Sequence, residues 1–421
     1  MTDLYREITA CRCCGSSRLE TVLDLGNLCI SDFVKPGDPE DRAPLELVVC
    51  LDCSLVQLRH TVERDRLYRG EYWYRSATNE SMVAALRDVV EDACSRVQLE
   101  ERNTILDIGC NDGTMLKMYP TARYHCIGFE PAKNLGPNLV YQDGNLAATI
   151  YRDYFPSKSP TFASALWKCK IITSIAMFYD LDDPNSFVKA IKEWLHPDGV
   201  WIVQFQDLRA MLTVNGFDNV CHEHLMYLSE LAFTELVSRH GLMVTDVSTN
   251  NTNGGSVRYV VKHGDAPTPA RAWTTAFGDA WELIKFGQKV DQLKKQTLDL
   301  LWKLRTDGKL VLGLGASTKF NTLAQYYDLT PGLLPAIVER APEKVGRFTV
   351  GTHIPIISEE EGEQLEPDYY LLGPWHFVDS FRKRYATFLA RGGQFILPLP
   401  VLTTLGGALW EPIKEEVYAS R

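Results

Sequence analysis

The stretch NTILDIGCNDGTMLKMYP, residues 103–120, decides the fold. Its apolar start predicts a strand from Thr104 to Ile108, and Gly109 and Gly113 predict a tight turn before a helix that begins at about Thr114. A cofactor sits against such a turn when the turn follows the first strand of a doubly wound sheet, because glycine lets the backbone approach the ligand closely. We therefore predict an α/β domain that binds a cofactor at this turn.

The following segments continue the same kind of sheet. RYHCIGFEP, residues 123–131, predicts a second strand that ends at Glu130, where a carboxylate can accept hydrogen bonds from both hydroxyls of a ribose. Residues 171–204 predict a strand, a loop, a helix, a Pro-Asp-Gly turn and a further strand. The D-x-G-x-x-x-G form of the first turn resembles that of class I S-adenosylmethionine-dependent methyltransferases; the alternative is a turn that only packs a helix on the sheet. The candidate cofactor-binding residues are Asp107, Gly109, Asn111, Asp112, Gly113, Glu130, Pro131 and Ser174.

Length and charge limit the possible partners. A chain of 421 residues is too long for one ordinary core and predicts two or three domains. The net charge of −10 argues against a nucleic-acid partner, which would need a clustered basic face. The sequence has no apolar run of membrane-spanning length and does not start like a signal peptide, so we expect a cytoplasmic protein without a membrane partner.

Two CxxC knuckles near the N-terminus predict a metal site. CRCC supplies Cys11 and Cys14, and VVCLDCSLVQL supplies Cys50 and Cys53. Four thiolates can hold Zn²⁺ tetrahedrally, and such a closed site leaves no open position for water, so we expect structural rather than catalytic zinc. Cys13 is adjacent to the first knuckle and can compete with Cys14 for the metal.

Two histidines flank a glutamate in FDNVCHEHLMYLS, residues 217–229. This is not the HExxH motif of zinc proteases, whose histidines lie four residues apart on one helical face. His222 and His224 are two apart and share a face only on an extended chain. The trio is either a polar loop or part of a site that the rest of the fold completes around it. Upstream, Tyr72 and Tyr74 are spaced to face one way on an extended chain, either towards a substrate or as a packing edge.

A second glycine turn occurs in GKLVLGLGASTKFNTLAQYY, residues 308–327. It predicts a strand followed by a helix that opens at Ala316 and carries Lys319 in its first turn. A helix N-terminus with a lysine suits a phosphate group; the alternative is a plain strand-to-helix turn. Before this turn, residues 271–307 predict a long helix.

The order of these motifs resembles a known family. Paired CxxC knuckles, YxYRSxxxxSM, LDIGCNDGTML, CHEHLxYLS, NGGSxR, GxGASTKFNT, EKVGRFTVGTHIPI and PDYYLLGPWHF together resemble the nucleotide-sugar C-methyltransferases of deoxysugar biosynthesis, over nearly the whole chain. The resemblance implies a zinc-binding domain (residues 1–68), a class I methyltransferase Rossmann-like domain (residues 69–265) and a C-terminal Rossmann-like α/β domain (residues 266–421). It also implies S-adenosylmethionine as cofactor and a nucleotide-linked 4-keto sugar held between the last two domains, and we expect a monomer. The candidate substrate-binding residues are Arg258, Ser317, Lys319, Asn321, His353 and Trp375.

The chemistry of this family accounts for the histidine trio. A proton on the carbon next to a ketone can be removed to give an enolate, and this step needs a base whose pKa lies near the working pH, such as histidine. The resemblance assigns the base to His224, with Glu223 and a tyrosine positioning the sugar or stabilising its enolate. The candidate catalytic residues are His224, Glu223, Tyr72, Tyr74, His222 and Tyr179.

Three positions depart from the family pattern. Cys221 stands where tyrosine is usual, Tyr179 lies near a usual histidine, and Phe320 replaces a usual glycine. These positions surround the sugar rather than the cofactor. The expected reaction is methylation at C-3 of a 4-keto-deoxysugar, and two alternatives stay open: an O- or N-methyltransferase of a sugar or small metabolite, and a non-catalytic zinc protein that binds sugar nucleotides.

Overall fold

The structure is a computed structural model that describes residues 4–70, 72–78, 80–120, 123–135, 139–142, 145–159, 168–265 and 279–406. None of the helices in these ranges has the length and apolar surface of a membrane span. The first part of the predicted long helix, residues 271–278, lies outside the described residues.

The N-terminal part is antiparallel β-structure. Its elements are β1 (Tyr5–Glu7), β2 (Leu19–Cys29), β3 (Phe33–Val34), β4 (Arg42–Cys50), β5 (Val56–Leu58), β6 (His60–Val62) and α1 (Arg64–Tyr68). One sheet has the order β13-β5-β4-β2, in which β13 (Met226–Tyr227) comes from much later in the chain. Alternate residues of β4, such as Ala43, Leu45 and Leu47, are buried, as expected of a sheet with one face on a core.

The central part is the predicted doubly wound sheet. Its elements are α2 (Glu80–Ser95), β7 (Thr104–Ile108), β8 (His125–Phe129), β9 (Leu139–Gln142), β10 (Asn145–Tyr151), β11 (Cys169–Ile175), α3 (Pro184–Trp194), β12 (Leu195–Gln206), α4 (Leu208–Thr213), α5 (Glu230–Ser238), β14 (Leu242–Asn250) and β15 (Ser256–His263). The strand order is β14-β15-β12-β11-β7-β8-β10-β9, and the five strands from β12 to β10 run parallel. Strand β7 therefore lies at the point where the order reverses, between β11 and β8, which is where cofactors bind in such sheets.

Two local predictions in this sheet are wrong. No α-helix begins at Thr114: a single 3-10 turn, Leu116–Met118, follows the glycine turn, because Pro120 forces the preceding Tyr119 into an extended conformation. The predicted Pro-Asp-Gly turn at residues 197–199 does not separate helix from strand. It lies inside β12, where the pairing with β11 jumps from Leu195 to Val200 and the intervening residues bulge out.

The C-terminal part contains a second, mostly parallel sheet, in which only the last strand is antiparallel. Its elements are α6 (Asp279–Thr306), β16 (Val311–Leu314), α7 (Thr318–Tyr326), β17 (Ile337–Val338), β18 (Phe348–Thr349), β19 (Ile356–Ile357), α8 (Glu359–Gln364), β20 (Tyr369–Leu372), α9 (Val378–Arg384), α10 (Ala386–Ala390), β21 (Gln394–Leu397) and β22 (Thr403–Gly406). The strand order is β19-β17-β16-β20-β21-β22, so β16 again lies where the order reverses. Helix α7 begins at Thr318, two residues later than predicted, because the side chain of Ser317 caps it by accepting a hydrogen bond from the Phe320 amide.

The predicted domain boundaries stay predictions, and the packing crosses them. Buried residues of the N-terminal sheet, of α6 and of the C-terminal sheet form one continuous apolar core. Strand β3 pairs with β18, and the Gln325 side chain bonds both the amide and the carbonyl of Cys29. The first and last parts of the chain therefore pack directly against each other.

Candidate functional site

The four cysteines of the CxxC knuckles meet at one point. One sulfur of each lies within 4.8 Å of the others, and the Cys11–Cys53 and Cys14–Cys50 sulfurs are 3.5 Å apart. Four sulfurs at ~2.3 Å from a zinc ion would be separated by about 3.8 Å at tetrahedral angles, so these residues fit structural zinc. Cys13 is not a member of this group.

The zinc knuckle is bound to the central sheet. The Asn185 side chain, at the start of α3, donates to the carbonyls of Arg12 and Cys13 at 2.8 and 3.0 Å. Arg239, at the end of α5, also donates to the Cys13 carbonyl. Arg12 is buried and its guanidinium bonds the Leu58 carbonyl at 2.6 Å. The knuckle is therefore a fixed part of the molecule and not a separate module.

The glycine turn after β7 brings together residues that are predicted to bind the cofactor, and we call this turn the platform. Gly109 has φ of 71°, a conformation that favours glycine, and a Cβ there would lie 2.9 Å from the Met177 Cγ. Glu130 is nearly fully buried and accepts hydrogen bonds from the Asn111 and Ala132 amides at 3.0 and 2.9 Å. Burial raises the pKa of Glu130, while these two amides favour its ionised form. Pro131 lies between Glu130 and Ala132 in the chain.

Residues 72–77 cross over this turn as a strap. The Ser76 amide donates to the Asn111 side chain at 3.0 Å, and the Ala77 amide donates to Asp112 at 2.9 Å. Asn111 in turn donates to the Tyr74 carbonyl. The strap places Tyr74 near Asp112 and close enough to Tyr179 to act on its phenol, and 45% of Tyr74 remains exposed.

Two of the predicted cofactor residues lie beneath the platform. Asp107 is buried and accepts from the Thr173 hydroxyl at 2.7 Å, and its burial raises its pKa to about 7. Ser174 is fully buried, and its hydroxyl accepts a hydrogen bond from the Trp201 indole at 3.1 Å. Ser174 therefore stabilises the sheet and does not face a ligand, because its strand position points into the core.

The histidine trio forms a tight turn rather than an extended chain. The His224 amide bonds the Cys221 carbonyl at 3.1 Å, and this turn sends the two histidines in different directions. His224 Nδ1 lies 2.8 Å from the Asn219 carbonyl. A carbonyl can only accept, so Nδ1 carries the proton and Nε2 is left with a lone pair. We call residues 219–225 the base loop.

His224 is surrounded by groups that affect its charge. Its ring centroid is 4.4 Å from that of Tyr179, and one of its nitrogens lies within 4.8 Å of a Glu223 carboxylate oxygen. Burial, followed by the nearby positive charge of Lys319, lowers the pKa of His224 to about 3. Burial, followed by repulsion from Asp32, raises the pKa of Glu223 to about 7. His224 is thus neutral at all ordinary pH values.

Tyrosines and a small cavity complete this side of the site. Burial raises the pKa of Tyr72 and of Tyr179 well above the ordinary value, so both phenols stay protonated and can donate hydrogen bonds. Glu223 is among the charges that act on both phenols. Beside His224, a small cavity is lined by Gln206, Met211, Met226 and other residues of β12, α4 and β13.

His222 does not lie in the site. It is buried, and its Nε2 lies 2.9 Å from the Ala43 carbonyl on β4. Burial lowers its pKa to about 4, so it packs as a neutral side chain. The Leu58 amide also bonds the Leu225 carbonyl at 3.0 Å, and β13 pairs with β5 immediately after the base loop. The zinc-bearing sheet therefore holds the base loop in place.

A second wall comes from the C-terminal sheet. Lys319, in the first turn of α7, lies close enough to Asp218 and His224 for its charge to act on both. The Trp375 indole donates to Asp218 Oδ2 at 3.0 Å, while Asp218 Oδ1 is buried without a hydrogen-bond partner among the described residues. His376 is half-buried, and its pKa is lowered by burial and then by the charge of Lys319. Lys319 and Trp375 are therefore brought together with the base loop.

Four predicted substrate residues already have partners within the protein, and their role in substrate binding stays a prediction. Arg258 is buried and pairs with Asp88 at 2.6 Å, away from the base loop, and His353 pairs with Glu40 at 3.1 Å on the surface. The Ser317 side chain caps α7. The Asn321 side chain donates to the Asp32 carbonyl at 2.8 Å. These polar side chains stabilise loops and helix ends, a use that motif order alone does not distinguish from ligand binding.

Three acidic residues were missed by the sequence analysis. Asp218 has just been described, and Asp180 lies close enough to act on Glu223 and Tyr179. Asp32, from the loop between β2 and β3, accepts from the Trp73 indole at 2.8 Å and acts on Glu223. The only sequence signal is the adjacency of Asp180 and Asp218 to Tyr179 and the histidine trio; nothing in the sequence connects Asp32 to the site.

Comparisons with known proteins match three regions of the chain. Residues 11–68 match a family of zinc binding domains, residues 79–247 match a family of methyltransferase domains, and residues 251–400 match the C-methyltransferase C-terminal domain family. The chain is 28% identical over 414 residues to the C-methyltransferase NovU of Streptomyces niveus, an alignment that covers 95% of this chain and 97% of NovU.

Similar solved structures cover less than half of the chain. An S-adenosylmethionine-dependent methyltransferase from Clostridium acetobutylicum covers 43% of this chain and 92% of its own, with 11% identity and a TM-score of 0.33. The CcbJ methyltransferase of Streptomyces caelestis covers 46% of this chain and 93% of its own, with 10% identity and a TM-score of 0.35. The sequence comparisons, by contrast, span all three parts of the chain in order.

Proposed function

Because the chain belongs to the S-adenosylmethionine-dependent C-methyltransferases with an N-terminal zinc-binding domain, we propose that its substrate is a nucleotide-linked 4-keto-deoxysugar, methylated at C-3. The observation that carries the proposal is the environment of His224. Its ring has a free Nε2 lone pair and lies beside Glu223 and the Tyr179 ring, within reach of the charge of Lys319. This arrangement suits removal of a proton from carbon next to a ketone.

His224 is the base in this proposal. S-adenosylmethionine, when bound, supplies an electrophilic methyl group attached to sulfur. His224 Nε2 removes the proton from the carbon beside the ketone, the electron pair of that C–H bond becomes the enolate, and the enolate carbon is the nucleophile. The Glu223 carboxylate then stabilises the imidazolium, because an opposite charge within about 4–6 Å favours the charged form. In this proposal Tyr72 and Tyr179, whose phenols stay protonated, donate hydrogen bonds to the developing enolate oxygen.

Lys319 connects substrate binding to the strength of the base. Its positive charge contributes to the low pKa of His224 in the ligand-free protein. A diphosphate bound beside Lys319 would offset that charge and raise the basicity of His224. The base would therefore become effective when the sugar nucleotide is in place. His222, which bonds the Ala43 carbonyl, has no part in this step.

Proton exchange and product analysis test the proposed reaction. In deuterium oxide and without cofactor, the protein should exchange the proton next to the ketone of a nucleotide-linked 4-keto sugar, as detected by NMR. With S-adenosylmethionine, mass spectrometry and carbon NMR of the product should show a new methyl group on that carbon. A methyl group on oxygen or nitrogen, without any exchange, would instead establish one of the other methyltransferase activities.

Replacing Lys319 with alanine should weaken binding of the sugar nucleotide. Loss of a hydrogen bond to a charged group costs about 1.5–3 kcal/mol, or roughly tenfold to more than a hundredfold in affinity. Calorimetry with the nucleoside diphosphate measures this loss, while the affinity for S-adenosylmethionine should not change. Lys309→Ala is the matched control, because Lys309 pairs with Asp368 before β16, at the opposite end of that strand. Equal weakening of both ligands by Lys319→Ala would mean that Lys319 only supports the fold.

Replacing Glu130 with glutamine should weaken binding of the cofactor without lowering kcat. Glutamine keeps the side-chain shape but exchanges one acceptor oxygen for a donor, so a ribose hydroxyl loses a charge-assisted hydrogen bond worth about 1.5–3 kcal/mol. The ribose takes no part in methyl transfer, so the apparent KM for S-adenosylmethionine should rise tenfold or more while kcat at saturation stays near that of the wild type. A normal KM with a low kcat would show that the cofactor is not placed on β8.

A further inference from the structure

The two parallel sheets of this chain repeat one local construction. In the central sheet the Gly109 amide bonds the carbonyl of Phe129, the last residue of the neighbouring strand, at 2.9 Å. In the C-terminal sheet the Gly315 amide bonds the carbonyl of Val338, again the last residue of the neighbouring strand, at 2.8 Å. Both glycines have positive φ, 71° and 87°. Each follows directly after the strand at which the strand order reverses.

The residue after that neighbouring strand is a glutamate in both sheets. Glu130 accepts from an amide of its glycine turn, that of Asn111, at 3.0 Å, and Glu339 accepts from an amide of its own turn, that of Ala316, at 2.7 Å. The other carboxylate oxygen accepts from the amide two residues further on, at 2.9 Å from Ala132 and 3.0 Å from Ala341.

A cation lies near each carboxylate, although the two cations bond carbonyls at different positions. Arg152 acts on Glu130 and donates to the Ala132 carbonyl at 3.1 Å. Lys344 is acted on by Glu339 and donates to the Ala316 carbonyl at 2.8 Å. The second carboxylate is therefore held in place by turn amides and a flanking cation, as the first one is. In doubly wound sheets this strand-end position is the one at which an acid binds the ribose hydroxyls of a nucleotide.

The edge that carries Glu339 faces the proposed active site. Lys319 follows the same glycine turn and acts on His224, and Trp375, which follows β20 at the same edge, donates to Asp218 of the loop before His224. A nucleotide whose pentose lies at Glu339 would have its diphosphate at the start of α7 near Lys319. The attached hexose would then point towards His224.

We propose that Glu339 binds the pentose hydroxyls of the nucleoside part of the substrate, so that the C-terminal sheet holds a second nucleoside site built like the cofactor site. This inference rests on the proposed function, because it takes the substrate to be linked to a nucleotide. Glu339 is a binding residue in it and does not touch the reacting carbon.

A matched pair of variants tests this proposal. Glu339→Gln should weaken binding of uridine diphosphate or thymidine diphosphate about tenfold or more, with no change in affinity for S-adenosylmethionine or for inorganic pyrophosphate. Glu130→Gln, the same change in the central sheet, should weaken binding of S-adenosylmethionine and leave the affinity for nucleoside diphosphates unchanged. Calorimetry on the full-length protein measures these affinities, and thermal unfolding checks that both variants are folded. Nucleoside diphosphate binding that is equal in Glu339→Gln and wild type would overturn the inference and leave the proposed function intact.

The wild-type protein provides an independent test that does not depend on folding of a variant. Uridine diphosphate should bind at least about tenfold more tightly than its 2′,3′-dideoxy analogue. The analogue lacks the two hydroxyls that would donate hydrogen bonds to the carboxylate. Equal affinities would overturn the pentose assignment. If the wild-type protein bound no nucleoside diphosphate while it still methylated a free 4-keto sugar, both this inference and the nucleotide-linked substrate would be wrong.

Discussion

Replacing His224 with asparagine should lower kcat by ~10²-fold or more, the usual scale for loss of a general base. Asparagine can keep a polar contact in the base loop but has no lone pair of comparable basicity to take the proton from carbon. Binding of S-adenosylmethionine and of the sugar nucleotide should remain, since Glu130 and Lys319 are unchanged. Deuterium exchange next to the ketone should fall in parallel with kcat, because both depend on the same proton transfer.

The matched control for this change is His196→Asn, at the opposite end of β12 from the cavity beside His224. It should keep near-wild-type turnover. The pH profile is a second readout: His224, with a pKa of about 3, is already neutral, whereas Glu223 loses its proton as the pH rises through about 7. We therefore expect kcat/KM to rise with pH through about 7 and Glu223→Gln to remove that step. Normal exchange and turnover in His224→Asn would exclude His224 as the base.

Removing zinc, by chelation or by Cys53→Ser, should destabilise the N-terminal sheet and also abolish turnover. Binding of structural zinc contributes on the order of 10–16 kcal/mol in small zinc-finger peptides, so its loss should lower the thermal unfolding temperature clearly. The effect should extend to the reaction, because β5 pairs with β13 directly after the base loop and β4 binds His222. The zinc content, the thermal unfolding temperature and the turnover rate should therefore all fall together.

Cys13→Ser separates zinc loss from a general effect of losing a thiol. Cys13 is buried beside the knuckle but is not one of the four sulfurs that meet, so this variant should retain zinc and turnover. An apo protein that unfolds at the same temperature as the zinc-bound protein would contradict the structural role. An apo protein that is unstable but fully active would contradict the connection to the base loop.

Patterns within short segments were reliable because their physical cause is local. The strand Thr104–Ile108 and its glycine turn follow from an apolar run and from the positive φ that glycine tolerates. Glu130 lies at the end of the second strand because that strand ends at Phe129. The spacing of the two CxxC knuckles likewise implies four thiolates that can share one metal. Local reasoning was wrong at Thr114, where Pro120 ends the helix before it can form.

The sequence by itself predicted the strand and glycine turn of residues 104–113, the four cysteines that meet in the fold, and the C-methyltransferases to which the chain is similar. Only the tertiary structure decided which polar side chains face the site. In the fold, His224 and His222 bond different carbonyls, those of Asn219 and Ala43. Arg258 and His353 pair with Asp88 and Glu40, and Asp32 lies close enough to Glu223 to raise its pKa. The reason is that a side chain's direction depends on backbone turns and on pairing between distant strands, such as β13 with β5, and neither can be read from residue types or spacing.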